Sequence, residues 1–229
     1  MQSGSFKLQI FHGSECIIKS PQFGFGNPRN DYGRGFYCTK SSELAKEWAC
    51  QKNKDGFANY YELKAEGLSI LDLSDSNFSI LHWLSILMQN RVFSPKSPLG
   101  KQNLDFLTSH YNLAYSDYDI IIGYRANDSY FSFASDFLEN IIPIQSLASS
   151  MKLGSLGLQV VLKSKKAFNS LAFINAERAD CKIYYPKYIT RDTGARKSYF
   201  ENLRNQKPDS STYLIDIVRN PELLNGLHL

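Results

Sequence analysis

Cysteine is scarce in this chain: Cys16, Cys38, Cys50 and Cys181 are spread over 229 residues. They have neither paired metal-ligand spacing nor the density of a disulfide framework, which excludes a cysteine-built metal centre and points to free thiols in a reducing compartment. No apolar run approaches the roughly 20 residues of a membrane-spanning helix. The opening Met1-Gln2-Ser3-Gly4-Ser5 lacks the basic and apolar regions of a secretion signal. The expectation is a cytoplasmic protein without a membrane partner. Internal repeats and low-complexity tracts are missing too, which excludes a solenoid. Gly24-Phe25-Gly26-Asn27-Pro28-Arg29 begins like a dinucleotide fingerprint. It lacks the third glycine, holds a proline and opens no helix after a strand, so it reads as a loop over a cleft.

What is present is enough apolar material for a sizeable core, 43% of residues. One domain over 1–229 is expected, with 176–229 as a basic helical extension. Leu8 and Ile10 alternate with Lys7 and Gln9, the period of a half-buried strand. Similar patterning predicts strands at Lys7–His12, Asn59–Ala65, Leu68–Leu73, Tyr118–Gly123, Gln159–Leu162 and Leu171–Ile174. Helices are expected at Ser42–Gln51, Asn77–Val92, Gln102–Tyr111, Ser129–Asn140, Pro143–Leu153 and Thr193–Asn205. Strands on both sides of a helical middle make an α+β fold with a mainly antiparallel core. Pro186, Asp192 and Gly194 mark a break before the last helix, and Lys207 to Ser211 reads as a loose polar connection.

Charge is uneven. Lys163 to Lys207 holds eleven Lys or Arg against four Asp or Glu, so this third is basic within a chain of net charge +4. Tyr184, Tyr185, Tyr188 and Tyr199 lie in it, suiting either a phosphate-contacting surface with stacking rings or a solvated face beside a tyrosine cluster.

Two short segments carry the chemistry. Phe11-His12-Gly13-Ser14 ends the first strand, and Tyr32-Gly33-Arg34-Gly35-Phe36-Tyr37 leads towards a helix opened by Ser41-Ser42-Glu43. Trp48 follows Tyr37 by eleven residues and lies in that helix. A third polar position, Gln159, heads the apolar run Leu158-Gln159-Val160-Val161-Leu162. Gly123-Tyr124-Arg125-Ala126-Asn127-Asp128 follows another apolar strand, where polar groups often project into a site. Glu62 and Glu66 read as exposed strand positions.

In order and local sequence these segments resemble the ADP-ribosyltransferase superfamily, in its diphtheria-toxin-like and poly-ADP-ribose-polymerase-like branch, over roughly residues 8 to 175. Ile120 to Phe137 and Leu158 to Ile174 also look like an uncharacterised bacterial family of this fold often suspected to be toxins. The resemblance implies a mainly antiparallel split sheet with helical insertions and NAD as co-substrate. It implies His12 on a cofactor ribose hydroxyl, the Gly13 backbone on the carboxamide, and Tyr37 with Trp48 stacked on the nicotinamide. Ser14, Arg34 and Gly35 complete the implied cofactor site, and Gln159 orients the reacting ribose. Arg125 and Asp128 are implied substrate contacts; no metal is implied. Ala45 stands where the branch often has a serine.

A neutral Gln159 cannot offset oxocarbenium charge as a carboxylate does, so single-unit transfer is expected. The implied activity is NAD-dependent mono-ADP-ribosyl transfer to a protein or nucleic-acid acceptor, plausibly by the toxin of a bacterial toxin–antitoxin or phage-defence pair, with an antitoxin as partner. The alternatives are a catalytically silent NAD or ADP-ribose binding module and an NAD-dependent RNA 2′-phosphotransferase, which would need more basic residues around the cleft than Arg34 and Arg125.

Overall fold

The computed structural model describes residues 7–126, 128–153, 157–204 and 211–226. The chain divides into two compact units: Met1–Ser74 with Ala114–Arg125 and Leu156–Thr190, and Asp75–Leu113 with Ala126–Ser155 and Arg191–Leu229.

The first unit is built on seven strands: β1 (Lys7–Ser14), β2 (Phe36–Thr39), β3 (Gly56–Lys64), β4 (Ile70–Asp72), β5 (Ile120–Tyr124), β6 (Leu158–Leu162) and β7 (Leu171–Ala179). Their order across the sheet is β4-β5-β6-β2-β1-β3-β7. The β4–β5 pair is parallel and every other neighbouring pair antiparallel, so the sheet is mixed within an α+β fold.

Alternation along the strands sorts the side chains between two faces. Ile10, Phe36, Cys38, Tyr61, Leu63, Ile120, Ile122, Val160 and Leu162 form one apolar cluster, joined by Ala167 of α6 (Lys165–Asn169). Helix α1 (Ser42–Ala49) buries Ala45 against Phe11 and Ala58. Ser41 starts that helix by accepting the Leu44 amide at 3.3 Å.

The expected split sheet is one sheet with a thin joint. Neighbours β1 and β2 share a single register pair, Phe11↔Thr39, whereas β1 and β3 pair along all eight residues from Lys7 to Ser14. Strand β2 was not expected at all, because four residues are too few for a period to stand out.

The second unit contains α2 (Ile80–Asn90), α3 (Pro98–His110), α4 (Asp128–Leu138), α5 (Ile144–Leu153) and α8 (Leu214–Arg219). Ser97 caps α3 by accepting the Gly100 amide at 2.9 Å, and Glu139 holds the Ser97 hydroxyl at 2.6 Å.

Helix α7 (Cys181–Arg204) runs through Pro186 and Gly194, where a break was expected. Its start is firmly fixed: Asp180 accepts the Lys182 amide at 2.8 Å and Asp55 the Cys181 amide at 2.8 Å. A proline this near a capped start removes one hydrogen bond, and a helical glycine costs only about 1 kcal/mol. The expected boundary at residue 176 falls inside β7, which pairs with β3 as far as Ala179. Of the connection read at Lys207 to Ser211, residues 207–210 lie outside the described residues, as do Met1 to Ser5. All four cysteines are free thiols, and no helix among the described residues is long and apolar enough to cross a membrane.

Candidate functional site

The segment before Tyr37 is a tightly fastened turn. The Gly33 amide donates to the Asn30 carbonyl at 2.9 Å, placing Asp31 and Tyr32 at the centre of a β-turn. Gly33 has φ +70°, which a glycine adopts without strain. The Tyr32 side chain is fully buried and its hydroxyl donates to the Tyr124 carbonyl at 2.7 Å. The Tyr37 hydroxyl closes the turn from the other end, donating to the Gly33 carbonyl at 2.6 Å and accepting the Tyr32 amide at 3.0 Å.

This turn, β2, α1, the end of β5 and the head of β6 surround a cavity of about 190 Å³, lined by Asn30, Asp31, Tyr37, Trp48, Arg125 and Gln159. Four residues singled out in the sequence therefore meet there: Tyr37, Trp48, Arg125 and Gln159. The cross-strand rows Tyr37↔Val161 and Thr39↔Gln159 explain how Tyr37 and Gln159 come to one face of the sheet. The Arg125 guanidinium lies over the Trp48 ring, 4.1 Å from its centroid, a cation–π contact. Gln159 is 5% exposed and Asp31 4%, and the Gln159 amide donates to Asp31 Oδ2 at 3.3 Å. Gln159 Oε1 has no hydrogen-bond partner among the described residues.

His12 comes to this site from the opposite face. Its ring stacks on Phe36, with centroids 4.3 Å apart, and its Nδ1 bonds the Tyr37 carbonyl at 2.7 Å. A neutral ring with the proton on Nδ1 satisfies that carbonyl. Burial lowers the imidazole below its ordinary value of 6.5, against the opposing pull of the Tyr37 bond. His12 thus touches the backbone that carries Tyr37 but does not line the cavity.

The neighbouring Gly13 has another duty than the one expected. A Cβ there would run into the Ala45 carbonyl and the Ala49 amide of α1, so the missing side chain lets the helix lie directly on β1. Ala45 is likewise fully buried in that contact. The Ser14 hydroxyl donates to the Cys16 carbonyl at 2.6 Å and accepts from Asn59 at 2.9 Å, within the turn after β1.

Comparison with known proteins adds one finding. A family model described as "Protein of unknown function (DUF3990)" matches residues 8–173. The chain belongs to this family. No curated protein matches it, and no solved structure does. The DUF3990 match runs from Leu8 in β1 to Phe173, the third residue of β7, and takes in every residue lining the cavity.

The remaining expected residues of the DUF3990 chain lie elsewhere. Arg34 and Gly35 line a second cavity, about 230 Å³, with Phe23, Gly24, Lys163 and Phe168. Lys163 sends its ammonium to the Arg34 carbonyl at 2.6 Å and to the Tyr32 carbonyl. Burial brings its pKa down to about 8. A third cavity, about 340 Å³, shares Trp48 and Arg125 with the first and adds Tyr185, Tyr188 and Lys52.

Asp128 begins α4, and its side chain lies outside the described residues. Of the four tyrosines in the basic segment, Tyr199 is no part of a stacking surface: it is 3% exposed, stacks on Phe133 at 3.8 Å and donates to Asp136 at 2.8 Å. Among the described residues, Asp55, Asp180 and Cys181 bring potential metal ligands together. Asp55 is already held by Arg178 at 2.5 Å and by the Cys181 amide, so the cluster anchors the start of α7.

The sequence reading missed Asn30 and Asp31. Their signal was available in a polar pair directly before Tyr32-Gly33, where a turn projects its first residues.

Proposed function

We propose that the chain is an NAD-dependent mono-ADP-ribosyltransferase. The observation that carries this reading is the cavity in which Tyr37, Trp48 and Gln159, from β2, α1 and β6, meet. Cleaving the nicotinamide glycosidic bond puts positive charge on the ribose while the leaving ring must be held. Two aromatic walls suit the ring, and the Gln159 Oε1 acceptor suits a ribose hydroxyl. At about 190 Å³ the cavity is smaller than the roughly 300–1,000 Å³ typical of whole-ligand pockets, so it fits the nicotinamide end of the dinucleotide rather than all of it. His12 has a positioning role here: through the Tyr37 carbonyl it fixes the strand that presents the ring.

One observation favours the silent binding module as a second reading. Arg125 covers a face of Trp48, so a nicotinamide must displace the guanidinium or share the ring with it.

The test is direct. NAD at 100-fold over its Kd should stabilise the native chain by about 2.7 kcal/mol in thermal unfolding. Tyr37→Ala should abolish that stabilisation while the protein stays folded. Free nicotinamide released from NAD by the parent protein separates the transferase from the silent module; an unchanged melting curve in millimolar NAD rejects both.

A further inference from the structure

We propose that Asp31, paired with Gln159, supplies the carboxylate that faces the reacting ribose. This deepens the transferase reading and rests on it. The sequence motif offers only a neutral amide at the head of β6, yet the cavity is not without an acid. Asp31 lines it beside Tyr37 and Trp48, is 4% exposed, and accepts the Gln159 amide at 3.3 Å. A group delivered by the loop takes the electrostatic part that the strand residue cannot play.

The pair divides two duties. With its Nε2 turned to the carboxylate, Gln159 keeps Oε1 as an acceptor; the reverse orientation would set two oxygens against each other. Gln159 therefore orients a ribose hydroxyl, and Asp31 holds the negative charge. As the glycosidic bond breaks, its electron pair leaves with nicotinamide and the ribose becomes positive. The incoming nucleophile, water in the simplest case, then gives a lone pair to the same carbon and loses its proton to solvent. The carboxylate lowers the barrier by lying in place before that charge develops.

The turn that delivers Asp31 has fastenings at its neighbour. The turn is already secured by the buried Tyr32 side chain, its hydroxyl on Tyr124, its amide on Tyr37 and the Lys163 ammonium on its carbonyl.

The experiment uses the full chain and NAD itself, measuring nicotinamide release, NAD binding by calorimetry, and thermal unfolding. Asp31→Asn keeps the shape and the Gln159 bond but removes the charge. It should slow release by about 100-fold, with NAD binding and unfolding close to those of the parent. Adding Gln159→Glu to Asp31→Asn moves the carboxylate to the other member of the pair and should recover at least about tenfold of the loss. Release by Asp31→Asn within about threefold of the parent overturns the proposal. Should Asp31→Asn not fold, the double variant decides. Near-parental release supports a required carboxylate, whereas NAD binding without release overturns it. A parent that neither binds nor cleaves NAD removes the transferase reading and this one together, a result distinct from an active Asp31→Asn.

Discussion

The turn from Asn30 to Gly35 has an acidic side and a basic side, and the two use charge differently. On one side Asp31 and Gln159 line a cavity with Tyr37 and Trp48. On the other, Lys163 lies among Phe23, Gly24, Arg34, Gly35 and Phe168, and donates to two carbonyls of the turn. The cation works inward, on the backbone, and its role is to hold. The anion is held by a side chain that keeps an acceptor in reserve. One turn thus carries charge in two settings: Lys163 meets backbone carbonyls, and Asp31 meets a side chain in a cavity wall, where the proposed transferase would use it.

The largest effect should come from removing what both sides depend on. Tyr32→Ala deletes a fully buried ring and should cost about 3–5 kcal/mol in urea unfolding, with loss of NAD binding. Tyr32→Phe loses only the hydroxyl bond to Tyr124 and should cost about 1–3 kcal/mol. Equal costs for the two variants would mean that the ring does not anchor the turn.

A smaller effect should sharpen the basic side. The Lys163 ammonium has an ordinary pKa of 10.5, lowered in the native state to about 8. Between these values the unfolded chain holds a proton that the folded chain has lost, so this residue makes stability rise with pH from about 8 to 10.5. Lys163→Met should abolish the rise. Subtracting the variant's unfolding free energy from the parent's at each pH cancels the tyrosines common to both. A difference that is flat across this window would show the lysine to be solvated.

The smallest effect is expected where charge is plentiful and exposed. Lys187, Arg196 and Lys197 pair with Glu43 at 3.1 Å, Asp192 at 3.2 Å and Glu201 at 3.8 Å. Replacing all three by Glu should change stability by no more than about 1 kcal/mol per pair and leave NAD binding intact. Salt-dependent loss of acceptor modification in that variant would instead give the basic segment a docking role.

Much of the sheet was legible in advance because its strands alternate cleanly, as Leu8, Ile10 and Lys7 do. Tyr37, Trp48, Arg125 and Gln159 could be listed from local sequence, and they share a cavity. That Asp31 joins them could not be seen, since its place depends on Tyr32 reaching the Tyr124 carbonyl 92 positions away in the chain. Gly13 misled for a related reason: a glycine that admits a helix and one that admits a ligand look identical until α1 is docked. The continuity of α7 was hidden because Pro186 and Gly194 signal a stop locally, while the brace from Asp55, 126 positions away in the chain, is tertiary.

The thin joint between β1 and β2 bears on cooperativity. Strands β4, β5, β6 and β2 form one ladder and β1, β3 and β7 another, linked by the Phe11↔Thr39 pair, the His12 imidazole on Tyr37 and the apolar cluster on one face of the sheet. Ladders joined by one rung can open separately, as partial unfolding units do. Amide exchange would then divide along this line, with Ile121 and Val161 reporting one event and Tyr61 and Leu63 another.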